Sequence, residues 1–208
     1  MVAMNEAEAA RDAARGSLGF LSLAETTALS HRGVLIPEPG SILISTDVQL
    51  HDGVTLWPNV ILQVSDGGRI AVGSRTNLFP GTRIVAMGGM VTVAAEAEIG
   101  EEGGFTIKAG AGEIVEIGDG ARLLGGGSLT LSNRIGRGAQ ILGPIRCQNC
   151  TLGDGGTYRD PEPDERGGVL KGSGVARNID IPQGHVIQAF GLFAEAPVRR
   201  QSYFHPKA

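Results

Sequence analysis

Four histidines and one pair of cysteines are the side chains of this 208-residue chain best suited to chemistry. His51 stands in "HDG", beside Asp52, and His185 in "PQGHVI". An imidazole titrates near neutral pH, so either can serve as a general base if it comes within hydrogen-bond reach of the proton it removes. Both are carried forward as candidate catalytic residues. His-Asp-Gly is also an ordinary way to turn a chain, so a solvent-facing turn is the alternative for His51. His31, at the end of a helix-forming run, and His205, in the C-terminal tail, are read as structural or solvated. Cys147 and Cys150 form a single CxxC, "CQNC". With no second pair and no histidine at ligand spacing, no metal site is expected, and the cysteine usage points to a cytoplasmic compartment.

The elements that would position these groups follow from composition and period. Thirty-three glycines, ten prolines and only 4% aromatics disfavour a helical bundle, since each helix-interior glycine costs about 1 kcal/mol, and require a core of small and aliphatic side chains. A net charge of -4 lacks the clustered basic face that nucleic-acid phosphates need, so no nucleic-acid partner is expected. The N-terminus has no basic n-region or apolar h-region, and no stretch approaches the length of a membrane span.

Aliphatic residues recur in triplets: Leu50, Leu56, Leu62; Val72, Leu78, Ile84; Val93, Ile99, Ile107; Ile117, Leu123, Leu129; Ile135, Ile141, Cys147. The step within a triplet is mostly six residues, a period that no helix produces. Three short strands per coil around a triangular core do produce it. Small or β-branched residues four places after many of these anchors supply a second inward position: Val54, Val60, Thr76, Thr82, Ala97, Gly103, Ala121, Gly127 and Ala139. "HDG", "WPN", "FPG", "GDG" and "GRG" recur at one phase as corners. The same register puts Glu98 beside Arg122 and Glu116 beside Arg134 on the outside, pairs that contribute about 0.2–1 kcal/mol each.

The fold class expected is therefore all-β, a parallel β-helix over residues 46–190, preceded by a helical segment and linker (1–45) and followed by an extended tail (191–208). Helices are expected over 3–15 and 21–31, the second stopped by Gly33. A charged, proline-containing excursion near 153–168 interrupts the repeat, which resumes at Val169, Val175, Ile181 and Ile187. The tail carries Tyr203 and Phe204, which pack back or meet a neighbouring chain.

The hexads "DVQLHDGVTLWPNVIL" and "GGRIAVGSRTNLFPGTRI" resemble the left-handed parallel β-helix of hexapeptide-repeat acyltransferases. Residues 24–62 are similar to the approach to the acetyltransferase domain of bifunctional N-acetylglucosamine-1-phosphate uridyltransferases. The left-handed coiling comes from this resemblance. It also implies a homotrimer, acetyl-CoA bound between subunits, and an amino sugar, nucleotide sugar or similar small metabolite as acceptor. In that family protruding loops cover a neighbour's cleft, which makes Tyr158, Arg159 and Asp160 candidate substrate contacts. The family's catalytic histidine has Thr130 in its place, in "TLSNRIG", with Asn133 where the family has tyrosine, and threonine is no general base near neutral pH. Nothing in the chain matches the family's nucleotidyltransferase domain. The alternative is a catalytically silent β-helix that serves as an oligomerisation or binding scaffold beside a sugar nucleotidyltransferase. A γ-type carbonic anhydrase, on the same fold, would need paired zinc-binding histidines that this sequence lacks.

Overall fold

The computed structural model of the chain describes residues 6–205. Its core is an all-β parallel β-helix with three faces. The first face stacks seven strands, from Val48–Leu50 through Arg69–Val72, Met90–Val93, Ile114–Ile117, Asn133–Ile135 and Thr151–Leu152 to Asp180–Ile181. The second runs from Thr55–Leu56 to Gln140–Leu142, and the third from Leu43–Ile44 to Ile145–Gln148. They meet in one nine-residue strand, Val169–Arg177, whose two halves pair with Gln140–Leu142 and with Ile145–Gln148. His185–Leu192 continues the parallel stack, and Val198–Arg200 pairs antiparallel to it. That reversal covers part of an edge that would otherwise present unpaired backbone.

The register explains the core. Like residues stack on like, with Leu50 over Val72, Leu78 over Ile99, and Leu129 over Cys147. All fifteen anchors expected to point inward are buried, none more than 5% exposed. Because a strand's side chains alternate, the residues between them point outward, and Arg122 does lie beside Glu98, its Nε donating to the carboxylate at 2.7 Å. Arg134 is in register with Glu116 but makes its ion pair, at 2.5 Å, with Asp154 from the excursion.

Three inward assignments need correction. Gly103 is exposed, and Phe105, 2% exposed, takes the inward place. The chain covers eight residues rather than six between Ile99 and Ile107, so counting four from the anchor falls two short. Where the strand resumes after the excursion, Leu170 stacks on Ile141 and Ala176 on Cys147, one place beyond Val169 and Val175. Ile181 and Ile187 are inward as expected.

At the N-terminal end, helix Glu6–Ser17 and a short helix Leu23–Ala28 precede the first coil, and Arg15 and Leu21 bond to the carbonyls of Ile42 and Ile44. A capping box of Ser22 and Glu25 opens the second helix, and a 3-10 turn over Leu29–Arg32 leads to Gly33 at φ 76, the left-handed stop that glycine permits. Residues 3–5 of the expected first helix lie outside the described residues. Arg15 pins this cap: 4% exposed, it donates to the carbonyls of Leu21 (2.7 Å) and Ile42 (2.5 Å) and to the Thr26 hydroxyl (3.1 Å). A buried guanidinium is tolerated there because its donors find acceptors. No helix of the described residues is long and apolar enough to cross a membrane.

Candidate functional site

The excursion leaves the first face at Leu152 and returns at Val169, so it stands over the corner between the first and second faces. The Gly155 amide donates to the Arg137 carbonyl (2.8 Å), and Arg166 donates twice to the Asp160 carbonyl (2.9 and 2.6 Å), which closes the loop on itself. Tyr158 lies on the outward side of the second face, its ring centroid 4.1 Å from the Arg122 guanidinium and 5.1 Å from that of Arg159. Arg159 Nε also donates to the Tyr158 hydroxyl at 3.0 Å. Arg122 in turn is held by Glu98 and, at 3.2 Å, by Glu101. The ring is therefore fixed by a charge network on one side and its own neighbour on the other.

The tail completes the enclosure. Gln201, 4% exposed, donates from its amide N–H to the Gly184 carbonyl (2.7 Å) and from Nε2 to that of Gly167 (2.6 Å). Asp164 of the loop accepts from the Ser202 backbone (2.9 Å) and hydroxyl (3.0 Å), with Arg200 at 3.5 Å. This clasp carries Phe204 and His205 over the second face.

The result is a cavity of about 270 Å³. Its floor is the outward row Arg122, Gln140, Leu142, Val169, Lys171 and Val186; Tyr158 and Arg166 wall it on one side, and Gln201, Phe204 and His205 on the other. A second hollow, of about 300 Å³, opens at the next corner and shares Leu142 and Lys171 with the first. Gly125, Gly143 and Gly172 line it, with Phe190, 80% exposed, beside them. A side chain at Gly143 would strike the Gly172 carbonyl oxygen at 1.9 Å, so the tight stacking of these coils leaves a wall of bare backbone.

The hydrogen bonds from Ser202, its backbone amide first, hold the Asp164 carboxyl below the usual carboxylate range. A lowered value in the folded state means that the clasp contributes stability above the ordinary pKa of a free carboxylate and loses it as pH falls through the lowered one. Acidification below about pH 4 is therefore expected to release the tail before the β-helix unfolds, which amide exchange at Ser202, followed against exchange in the strands, will show.

The structure places the sequence candidates unevenly. His51 is an exposed corner residue, bonded through its backbone amide to the Val72 carbonyl (3.0 Å), and among the described residues no hydrogen bond joins it to Asp52. His185 is half-buried at the start of the last parallel strand, its Nδ1 2.7 Å from the Gln183 carbonyl oxygen. Neither lines the two hollows. Tyr158 lines the cavity, Arg159 the smaller depression behind that ring, and the Asp160 carboxylate accepts from the Glu162 amide (3.0 Å) within the loop. Sequence reasoning read His205 as structural or solvated, and gave Lys171 and Arg166 no role. Of the cavity floor, only the outward phase of Arg122 was available from the repeat. Cys147 and Cys150 are free thiols, 0% and 1% exposed. Among the described residues no three His, Cys, Asp or Glu side chains gather as metal ligands.

No protein-family model matches the chain. No curated protein matches it either. Among solved structures it is similar to a crystal structure from Bacillus cereus described as a "putative acetyltransferase", at 15% identity, over 82% of this chain and 84% of that one, with a TM-score of 0.32. A likeness of that size assigns no activity to this chain.

Proposed function

We propose that the protein is an acyltransferase that moves an acyl group, from acetyl-CoA in the first instance, to a small polar metabolite of the amino-sugar or nucleotide-sugar class. The observation that carries this reading is the meeting of two hollows at Leu142 and Lys171. One sets Arg122, Arg166, Lys171 and Gln140 among apolar residues and suits an acceptor; the other is a bare-backbone groove beside apolar Phe190 and suits a thin thioester arm. Arg159 and Asp160 hold and shape the loop that presents Tyr158 to the acceptor. In the proposed step the acceptor nitrogen or oxygen attacks the thioester carbonyl carbon and passes its proton to the His205 imidazole. The C–S bond then breaks, and the thiolate of coenzyme A regains a proton from the imidazolium. A homotrimer would set a neighbouring prism against the open side of both hollows, and His51 or His185 would act only from such a neighbour.

A second reading, a binding scaffold without chemistry, is favoured by one observation: His51 and His185 both lie away from the hollows. One experiment separates the two. Coenzyme A is expected to raise the Tm, since it binds only the folded chain, and acetyl-CoA with an amino-sugar panel is expected to release thiol. Stabilisation without thiol release supports the scaffold; neither, at millimolar coenzyme A, rejects the acyltransferase.

A further inference from the structure

The charges around the acceptor cavity are unbalanced. The chain as a whole carries a net charge of -4, yet no carboxylate lines this cavity. Of the three cations that do, Arg122 is compensated by Glu98 and Glu101. Arg166 is not: its two donating nitrogens meet the neutral carbonyl of Asp160, which fixes the guanidinium in place without cancelling its charge. Lys171 is exposed, and its ammonium has neither hydrogen bond nor ion pair among the described residues.

A second, independent feature points the same way. Gln140 is only 6% exposed and lines the cavity floor, yet its side-chain amide has no hydrogen-bond partner among the described residues. Every fully sealed side-chain polar atom of the described residues does have one. The Gln140 amide therefore faces the open cavity, and its bonding capacity is available there. Leu142, Val169, Val186 and Phe204 line the space between these polar groups, so the complementary ligand has an apolar or ring-like body as well.

We propose that this cavity is a recognition site for an anionic small metabolite, a phosphate monoester or a carboxylate of about monosaccharide size. Arg166 and Lys171 hold the anionic group, and Gln140 hydrogen-bonds a neutral hydroxyl or amide of the same molecule. The volume, about 270 Å³, lies at the low end of ligand pockets and excludes a whole coenzyme A molecule. The inference rests on the acyltransferase reading only in making this ligand the acceptor, and its test needs no acyl donor.

The test is calorimetric titration of the full chain at constant ionic strength with glucose, glucose 6-phosphate, glucuronate and inorganic phosphate as probes. Glucose 6-phosphate or glucuronate is expected to bind at least about tenfold more tightly than glucose, with affinity falling as salt rises. Which of the two is preferred identifies the anion. Lys171→Gln, an exposed position outside the core, is expected to lose about tenfold in affinity for the anionic probe and to leave the Tm of the free protein unchanged. Gln140→Leu is expected to weaken glucose 6-phosphate and to leave inorganic phosphate unaffected, because the phosphate lacks the hydroxyls that the amide reads. Equal binding of glucose and both anionic sugars, or anion affinity indifferent to Lys171→Gln, would overturn the proposal. Anion binding without any thiol release from acetyl-CoA would instead leave the site standing and remove the acyl transfer.

Discussion

His205→Ala is expected to lower kcat for acyl transfer by about 10²–10⁴-fold, the range that a positioned general base supplies. The side chain is exposed at the cavity rim, and the contacts that bring it there are made by its neighbours, Gln201 to Gly167 and Gly184, and Ser202 to Asp164. Removing the imidazole leaves those bonds intact, so Tm and the affinity for coenzyme A should stay as they are. The same measurement on His51→Ala and His185→Ala provides the contrast. His51 sits at a solvated corner, and its replacement should leave both stability and kcat close to wild type unless a neighbouring copy supplies it. If His205→Ala keeps full activity while His185→Ala loses it, the base comes across a subunit boundary and the site as assigned is wrong. Deleting residues 201–205 goes further: it removes Phe204, His205 and the Gln201 bonds together, and should abolish turnover while the strands remain paired.

Phe105→Ala is expected to cost about 3–5 kcal/mol in a urea titration, the largest stability effect of any single truncation considered. Phe105 and Phe193 are the largest of the fully buried side chains, in a core otherwise made of aliphatic groups and two cysteines. Its ring reaches under the next coil, where a β-carbon on Gly127 would stand 2.7 Å from Cε2. The glycine and the phenyl ring are thus one fitted pair: the absent side chain of one coil is the space that the other fills. Truncation leaves a void walled by stacked coils, and coils in register cannot close on it without shifting their neighbours. Gly127→Ala should be destabilising for the opposite reason, overpacking, and by about 1–3 kcal/mol.

These two residues also mark where the sequence was legible and where it was not. Wherever the coil length is regular, the six-residue period specifies the inward side chains and the strand register, because one face of every strand must be buried. The Arg122–Glu98 pair followed from that register alone. Two extra residues between Ile99 and Ile107 defeated the count at Gly103 and hid Phe105, and the return from the excursion shifted the inward positions to Leu170 and Ala176. An insertion leaves no mark on the period except a lengthened step, so its true inward residue is decided by packing. The excursion was recognisable by its charges and prolines, and Tyr158 by lying on it. The cavity was not, since its walls come from positions as far apart as Arg122 and His205 and meet only because Asp164 holds the tail. A histidine near the end of a polar tail looks solvated until that clasp is seen.

The clasp has a consequence for how the molecule comes into being. Each coil contacts mainly its neighbours, so the prism can form progressively behind a growing chain, starting at the coil that Arg15 pins. The cavity cannot. Gln201, Phe204 and His205 are its wall, and they are synthesised after every coil beneath them. A partly made chain would thus be a stable, stacked solid with an open shelf where the site belongs, and would gain its binding function in a single late event, when one loop aspartate captures one serine.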